Sequence, residues 1–374
     1  MIKIPKHVQD LKPYKAGKPI EELAREKGLN KIVKLASNEN PLGPSPKALA
    51  AIQNFSKQLH RYPNPSAYKL VDVIAKKYNK DQDQIITGSG SDSLIQYIIS
   101  AFSESGDELL TSEGTFIGWY VNSDKYNRND VIVPLKNYHY DLKEIETNIT
   151  GKTKIIYLAN PNNPTGTLFT KNEFEEFMKH VPENVLVILD EAYTIYAEEN
   201  PDYPNGLDYN FDNLIVLRTL SKAYGLAGLR VGFAVGPSYL IQALYKVKLP
   251  FEPNLLAQEA AIAAFNDDEF IDRTVELNKR SLKKMKNKFD ELGISYVSTS
   301  ANFFLLLFPT EEFTAEFNDG CLNKGLILRH VKSFGIPNGI RINSGTDEET
   351  DFALNVIEQV YESLSHKYKL DVAH

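Results

Sequence analysis

Short aliphatic runs at Gln84–Thr87, Glu108–Thr111, Val131–Pro134, Lys154–Ala159, Val185–Asp190 and Leu214–Thr219 constrain this chain more than any other feature. A run that is apolar at every position, not at every second one, has to be buried on both faces, and a sheet achieves this with helices above and below it. Segments of helical spacing lie between the runs, among them Asp92–Ser103 and Lys171–His180, the latter with Thr170 as its expected N-cap. The alternation predicts an α/β fold with a mainly parallel, doubly wound sheet. After about Pro253 the rhythm changes to a long charged helix over Asp267–Leu292, an apolar stretch over Tyr296–Phe308 and a final helix over Asp347–Leu364. We expect an N-terminal arm and part of a small domain over 1–45, a large domain over 46–253, and a smaller α+β domain over 254–374.

Composition narrows the partners. Lys and Arg number 42 against 49 Asp and Glu, a formal net charge of −7. No basic block offsets it, which argues against nucleic acid or an anionic membrane as partner. The segment Met1–His7 lacks the apolar core of a secretion signal, and no stretch stays apolar for the ~18 residues of a membrane span, so a cytoplasmic protein is expected. Cys321 is the only cysteine, which excludes an intrachain disulfide and a multi-cysteine metal site. With no histidine beside it, it reads as a structural helix residue. The histidines are scattered without ligand spacing, so no metal site is expected.

In open α/β sheets ligands bind beyond the carboxyl ends of the strands, so the junctions after the aliphatic runs carry the candidate chemistry. The first, Gly88-Ser89-Gly90-Ser91-Asp92-Ser93, turns from a strand into a helix, where free N–H groups suit a phosphate. It lacks the spacing of a dinucleotide site and the Gly-Lys-Ser/Thr of a P-loop, and Ser91 and Asp92 read equally well as helix caps. The second, Asn160-Pro161-Asn162-Asn163-Pro164-Thr165-Gly166, is built of turn formers, with Asn163 placed to offer an amide donor. The third ends an unbroken apolar strand in Asp190-Glu191-Ala192-Tyr193. A carboxylate there requires a cation, either a protonated heterocycle or a metal held by oxygen ligands alone, while Glu191 suits an acidic cap on the following helix. The fourth places Ser221 and Lys222 after a buried strand, with Arg230 in a glycine-bracketed segment beyond. A desolvated lysine is nucleophilic toward an aldehyde, and an arginine fork matches a phosphate.

A phosphate cradle, a strand-end carboxylate for a pyridinium nitrogen and a lysine for an aldehyde are together what pyridoxal phosphate requires of a protein. On this reading Lys222 carries the cofactor as a Schiff base, Asp190 faces the ring nitrogen, and Asn163 and Tyr193 bond the ring oxygen. Phe116 either stacks on the ring or is a core aromatic.

The order of motifs resembles the fold-type I pyridoxal-phosphate enzymes and, among them, the histidinol-phosphate aminotransferases. The markers are Leu11-Lys12-Pro13-Tyr14, Leu35-Ala36-Ser37-Asn38-Glu39-Asn40-Pro41-Leu42-Gly43, Arg61-Tyr62-Pro63, the junctions above, Ala301-Asn302-Phe303, Leu328-Arg329 and Ile340-Arg341-Ile342-Asn343-Ser344-Gly345-Thr346. The resemblance implies a large domain with a mostly parallel seven-stranded sheet, and a homodimer with shared active sites in which Tyr62 reaches the cofactor phosphate of the neighbouring subunit. It further implies that Ser221, Arg230 and the backbone of Gly90, Ser91 and Asp92 hold that phosphate. Arg341 would grip the anionic end of the substrate, with Arg329, Tyr14 and Asn40 as helpers; Arg329 also reads as a surface salt-bridge partner.

The implied reaction is amino transfer between L-histidinol phosphate and 2-oxoglutarate, giving imidazole-acetol phosphate and glutamate. Rival readings are an aminotransferase for phenylalanine or tyrosine and a threonine-phosphate decarboxylase. A cofactor-sensing regulator would need an additional DNA-binding domain. The chain departs from the usual pattern at Ser89, Ser93, Asn64 and Phe116, the last standing where tyrosine is common.

Overall fold

The computed structural model describes residues 2–11 and 19–368. Tyr14 lies outside the described residues. The strands are β1 (Val33–Lys34), β2 (Ile85–Gly88), β3 (Glu108–Ser112), β4 (Asn129–Val133), β5 (Thr153–Ala159), β6 (Leu186–Asp190), β7 (Leu214–Thr219), β8 (Gly232–Val235), β9 (Ser295–Val297), β10 (Phe303–Leu307), β11 (Leu326–Ile327), β12 (Arg329–His330) and β13 (Gly339–Asn343). Every expected aliphatic run is a strand of one seven-stranded sheet of order β2-β8-β7-β6-β5-β3-β4. The pairs from β7 through β4 are parallel. β8 runs antiparallel to both β7 and β2.

The pleat sorts the strand residues onto two faces. Ile156, Leu158, Val187, Leu189 and Val216 join one buried cluster with Ile74 and Phe174. Ile155, Tyr157, Ile188, Ile215 and Leu217 join another with Leu94, Ile95 and Ile98 of the helix Ser91–Phe102. The helix Lys171–His180 begins as expected: the Thr170 side chain accepts from the Glu173 N–H, and the Glu173 carboxylate accepts from the Thr170 N–H at 2.7 Å. The two orphan donors are thereby satisfied reciprocally.

The C-terminal part is built on the antiparallel sheet β12-β13-β10-β9. The helices Asp268–Leu292, Glu311–Asn323 and Asp347–Tyr368 supply Met285, Phe289, Phe317, Ile357 and Val360 to its core, and Cys321 is buried there. β1 pairs in parallel with β11, so the N-terminal segment is tied to this second unit. The expected boundary after Pro253 falls too early for the packing. The helix Leu255–Phe265 buries Ala257, Ala260, Ala261, Ala264 and Phe265 in the core of the large sheet, so that core continues to Phe265. No helix among the described residues is long and apolar enough to cross a membrane.

Candidate active site

Because β5, β6 and β7 are parallel neighbours, their carboxyl ends open on one side, and the junctions after them meet in one cleft. Of the residues singled out from sequence, Ser91, Asp92, Phe116, Asn163, Asp190, Tyr193, Ser221, Lys222 and Arg230 line it, joined by Tyr157, Pro161 and Thr219.

Asp190 ends β6 and is buried. One carboxylate oxygen accepts from the Tyr157 hydroxyl at 2.8 Å and the other from the Ala192 N–H at 3.2 Å. Both donors are neutral, and burial pushes the carboxyl up to about 6. The Tyr157 ring is held in turn by stacking on Trp119 at 4.6 Å. Glu191 turns the opposite way. It pairs with Arg218 of β7 at 2.8 and 3.0 Å and accepts from the Gly206 N–H at 2.5 Å. The expected acidic helix cap is therefore a buried ion pair instead, welding the end of β6 to the strand that leads into Lys222.

The Lys222 amine donates to the Ser37 carbonyl at 3.0 Å and stands 5.9 Å from the centroid of the Tyr193 ring. Desolvation, then the charges of Arg341 and Arg230, push it down to about 8, which favours the neutral amine a nucleophile needs. The buried Tyr193 hydroxyl accepts from Asn38 Nδ2 at 2.7 Å, and its ring meets Phe303 edge-on at 5.2 Å. Asn163 Oδ1 accepts from Arg341, whose other terminal nitrogen donates to the Ala36 carbonyl at 2.7 Å.

At the other end of the cleft the helix Ser91–Phe102 starts from Gly90 with φ 83° and no side-chain cap. Ser91 and Asp92 are thus inside the helix and do not cap it; the Asp92 carboxylate meets Arg230 at 3.2 Å. Arg230 also reaches Ser221 Oγ at 3.4 Å. A Cβ on Gly90 would lie 2.7 Å from an Arg230 nitrogen, and one on Gly232 would lie 2.9 Å from the Ser91 nitrogen. Glycine at these two places keeps a helix N-terminus, a hydroxyl and a guanidinium facing one small space, the donor set of a phosphate site.

Other expected residues stand apart from the cleft. Tyr62 is 80% exposed and stacks on Phe251 at 4.4 Å. Asn40 gives its amide to the Ala223 carbonyl at 2.8 Å and to Thr274 at 3.0 Å, and takes the Leu42 N–H at 2.9 Å, so it braces the turn below Lys222. Arg329 lines a separate groove with Asp10, Leu11 and Lys332. Its backbone is nonetheless in register with Arg341, and both guanidiniums approach the Phe334 ring, at 5.7 and 5.9 Å. Asn38, Tyr157 and the Ser37 carbonyl escaped the sequence reading. Tyr157 alone carried a signal, a hydroxyl within an aliphatic run beside the strand of Asp190.

A sheet with its polar groups at the carboxyl ends of parallel strands, a lysine displaced toward its neutral form and a buried carboxylate held by neutral donors suit the handling of carbonyls and amines. The chain belongs to the class I and II aminotransferases, whose family model matches residues 30–357. Within that class it is similar to histidinol-phosphate aminotransferases of several bacteria. It is 42% identical to histidinol-phosphate aminotransferase 2 of Haemophilus influenzae over 94% of this chain and 96% of that protein. It is 37% identical to the histidinol-phosphate aminotransferase of Moorella thermoacetica over 94% and 92%. Among solved structures, the histidinol-phosphate aminotransferase of Sinorhizobium meliloti in complex with pyridoxal-5'-phosphate superposes with a TM-score of 0.90 at 26% identity, covering 97% of this chain and 99% of that one. The aspartate aminotransferase of Thermus thermophilus, at 20% identity and a TM-score of 0.83, shares the fold over 96% of this chain and 100% of its own.

Proposed function

We propose that this enzyme transfers the amino group between L-histidinol phosphate and 2-oxoglutarate, giving imidazole-acetol phosphate and glutamate, as a cytoplasmic step of histidine biosynthesis. The observation that carries the chemistry is the buried Asp190 carboxylate, which accepts from the neutral Tyr157 hydroxyl and Ala192 N–H, in the same cleft as the desolvated Lys222 amine. Relatives of that one activity, up to 42% identical over nearly the whole chain, support the substrate.

The donor set fits pyridoxal phosphate. Residues 46–253, with the packed helix up to Phe265, form the unit that holds it. Asp190 supplies the negative charge for the ring nitrogen, and Asn163 and Tyr193 hydrogen-bond the ring oxygen. Phe116 covers one side of the cleft. Ser221, Arg230 and the N–H groups of Gly90, Ser91 and Asp92 take the phosphate. When bound, the cofactor supplies a covalent carrier for the amino group and a sink for the electrons released at the substrate Cα. Lys222 Nζ holds the cofactor at rest, and once displaced it takes and returns the Cα proton.

Histidinol phosphate presents a phosphate and glutamate presents carboxylates, so one anion site serves both in turn. Arg341 grips the anion, with Arg329, Tyr14 and Asn40 assisting. Two chains complete each other's sites, Tyr62 reaching the partner's phosphate. The exposure of Leu59, Tyr62, Tyr68 and Leu249, large apolar side chains in segments joined through the Tyr62–Phe251 stack, supports such an interface.

The test is a panel of amino donors with 2-oxoglutarate, reading glutamate formed. Histidinol phosphate should be the preferred donor. A strong preference for phenylalanine or tyrosine contradicts the substrate assignment, and release of carbon dioxide from threonine phosphate without a keto acid contradicts the reaction.

A further inference from the structure

Three consecutive residues of the N-terminal segment each hold one polar group of the cleft. The Ala36 carbonyl accepts from Arg341 at 2.7 Å, the Ser37 carbonyl from Lys222 at 3.0 Å, and the Asn38 amide donates to the Tyr193 hydroxyl at 2.7 Å. Asn38 is the one that acts through a side chain. Its backbone is fixed from both sides: the N–H donates to Asn343 Oδ1 at 3.0 Å, and the carbonyl accepts from Asn302 Nδ2 at 3.3 Å. The residue is 1% exposed and takes a φ of 56°, a left-handed conformation that asparagine tolerates better than most residues. Tyr193 follows β6 of the large sheet, whereas the groups gripping Asn38 belong to β13 and the approach to β10. The amide therefore carries the geometry of the second unit onto a tyrosine of the first.

A phenol has one proton to donate and lone pairs with which to accept. The Asn38 N–H occupies one accepting direction of the Tyr193 oxygen, so the proton is left to point elsewhere, into the cleft that Tyr193 lines. We propose that Asn38 is a positioning residue that commits Tyr193 to donating its hydrogen bond toward the ring oxygen of the cofactor. This rests on the cofactor reading above and adds to it a part for the N-terminal segment in setting the cofactor's protonation. A hydrogen bond given to that oxygen favours its deprotonated form, so the bound cofactor loses its proton at lower pH.

The experiment is a pH titration of the holoenzyme, following the absorbance band of the bound cofactor. It compares wild type with Asn38→Gly, Asn38→Ala, Tyr193→Phe and the double variant Asn38→Gly/Tyr193→Phe. Glycine deletes the amide while accepting the positive φ, and alanine deletes it while keeping a Cβ. Both single Asn38 variants should raise the titration midpoint in the same direction as Tyr193→Phe, by about one pH unit, and the double variant should sit at the Tyr193→Phe midpoint. A merely structural role would lower stability and leave the midpoint in place. An unmoved midpoint in either folded Asn38 variant, or a double variant displaced by the sum of the single effects, overturns the proposal and leaves the cofactor reading standing. A wild-type protein that forms no such band with pyridoxal phosphate overturns both.

Discussion

Asp190 and Lys222 are both displaced toward their uncharged forms, the carboxyl up to about 6 and the amine down to about 8, in each case chiefly by burial. For Asp190 the folded value lies above the ordinary 3.8, so its stabilising contribution is fully present below about 4 and is lost as the pH rises through about 6. At pH 7 the apoprotein thus carries a buried charge that destabilises it. Asp190→Asn should raise apoprotein stability at pH 7 by up to about 3 kcal/mol, with thermal unfolding as the readout. The same variant should weaken cofactor binding and reduce turnover by on the order of 10²–10³. A variant that destabilised the apoprotein while binding cofactor normally would contradict the role.

For Lys222 the protonated form is the unreactive one. The rate at which apoprotein captures pyridoxal phosphate, followed by stopped-flow absorbance, should therefore climb as pH rises from 7 through about 8 and then level. A rate still climbing toward the ordinary lysine value of 10.5 would show that the amine is not desolvated. The place of these two residues in the cleft was legible in the sequence because each stands at or just beyond an aliphatic run, where the strand ends of an open α/β sheet meet. Asn38 and Asn40 were not separable that way. Both sit in one short motif, and only the left-handed turn at Asn38 decides which amide meets Tyr193 and which braces the backbone.

Among the elements, β6 and β7 hold the reactive ends in place, and the Glu191–Arg218 pair is the clamp between them. Arg218 also donates to Asn205 at 2.8 Å and lies over the Tyr78 ring at 4.9 Å, and among the described residues Glu191 is the only carboxylate within 3 Å of its buried guanidinium. Glu191→Ala should cost about 3–5 kcal/mol in denaturant unfolding, because it strands that charge. Replacing both residues by apolar ones of similar size should recover most of the loss. A single variant of wild-type stability would mean that water reaches the pair.

The strands of the large sheet were readable because burial on both faces demands unbroken aliphatic runs. β8 was not: it is a four-residue strand bracketed by glycines, and its antiparallel direction comes from the short return after β7. β1 and β11, two residues each, carry no periodicity at all, and their pairing is a tertiary event. Glu191 was misread as a cap because its partner lies on the neighbouring strand, a contact that spacing along one chain does not reveal.

For the molecule as a whole, the two cores are tied together by the N-terminal segment, which pairs with the second unit through β1 and touches Arg341, Lys222 and Tyr193 in turn. The sequence indicated two units but placed their boundary before a helix that packs with the first, since an alanine-rich helix looks alike in either core. If two chains share each site, an inactive Lys222→Ala protein and a Tyr62→Ala protein of impaired activity should regain turnover when unfolded and refolded together. The hybrid then has one site carrying both native residues. A mixture no more active than the sum of its parts would mean that each site belongs to a single chain.

Lys222, one lysine among many, is the residue proposed to carry the cofactor. The holoenzyme should be reduced with borohydride, digested and sequenced by mass spectrometry. A phosphopyridoxyl group on Lys222, lost together with the visible absorbance band in Lys222→Ala, is the predicted result. The same group on a different lysine, or its persistence in the variant, would contradict the account.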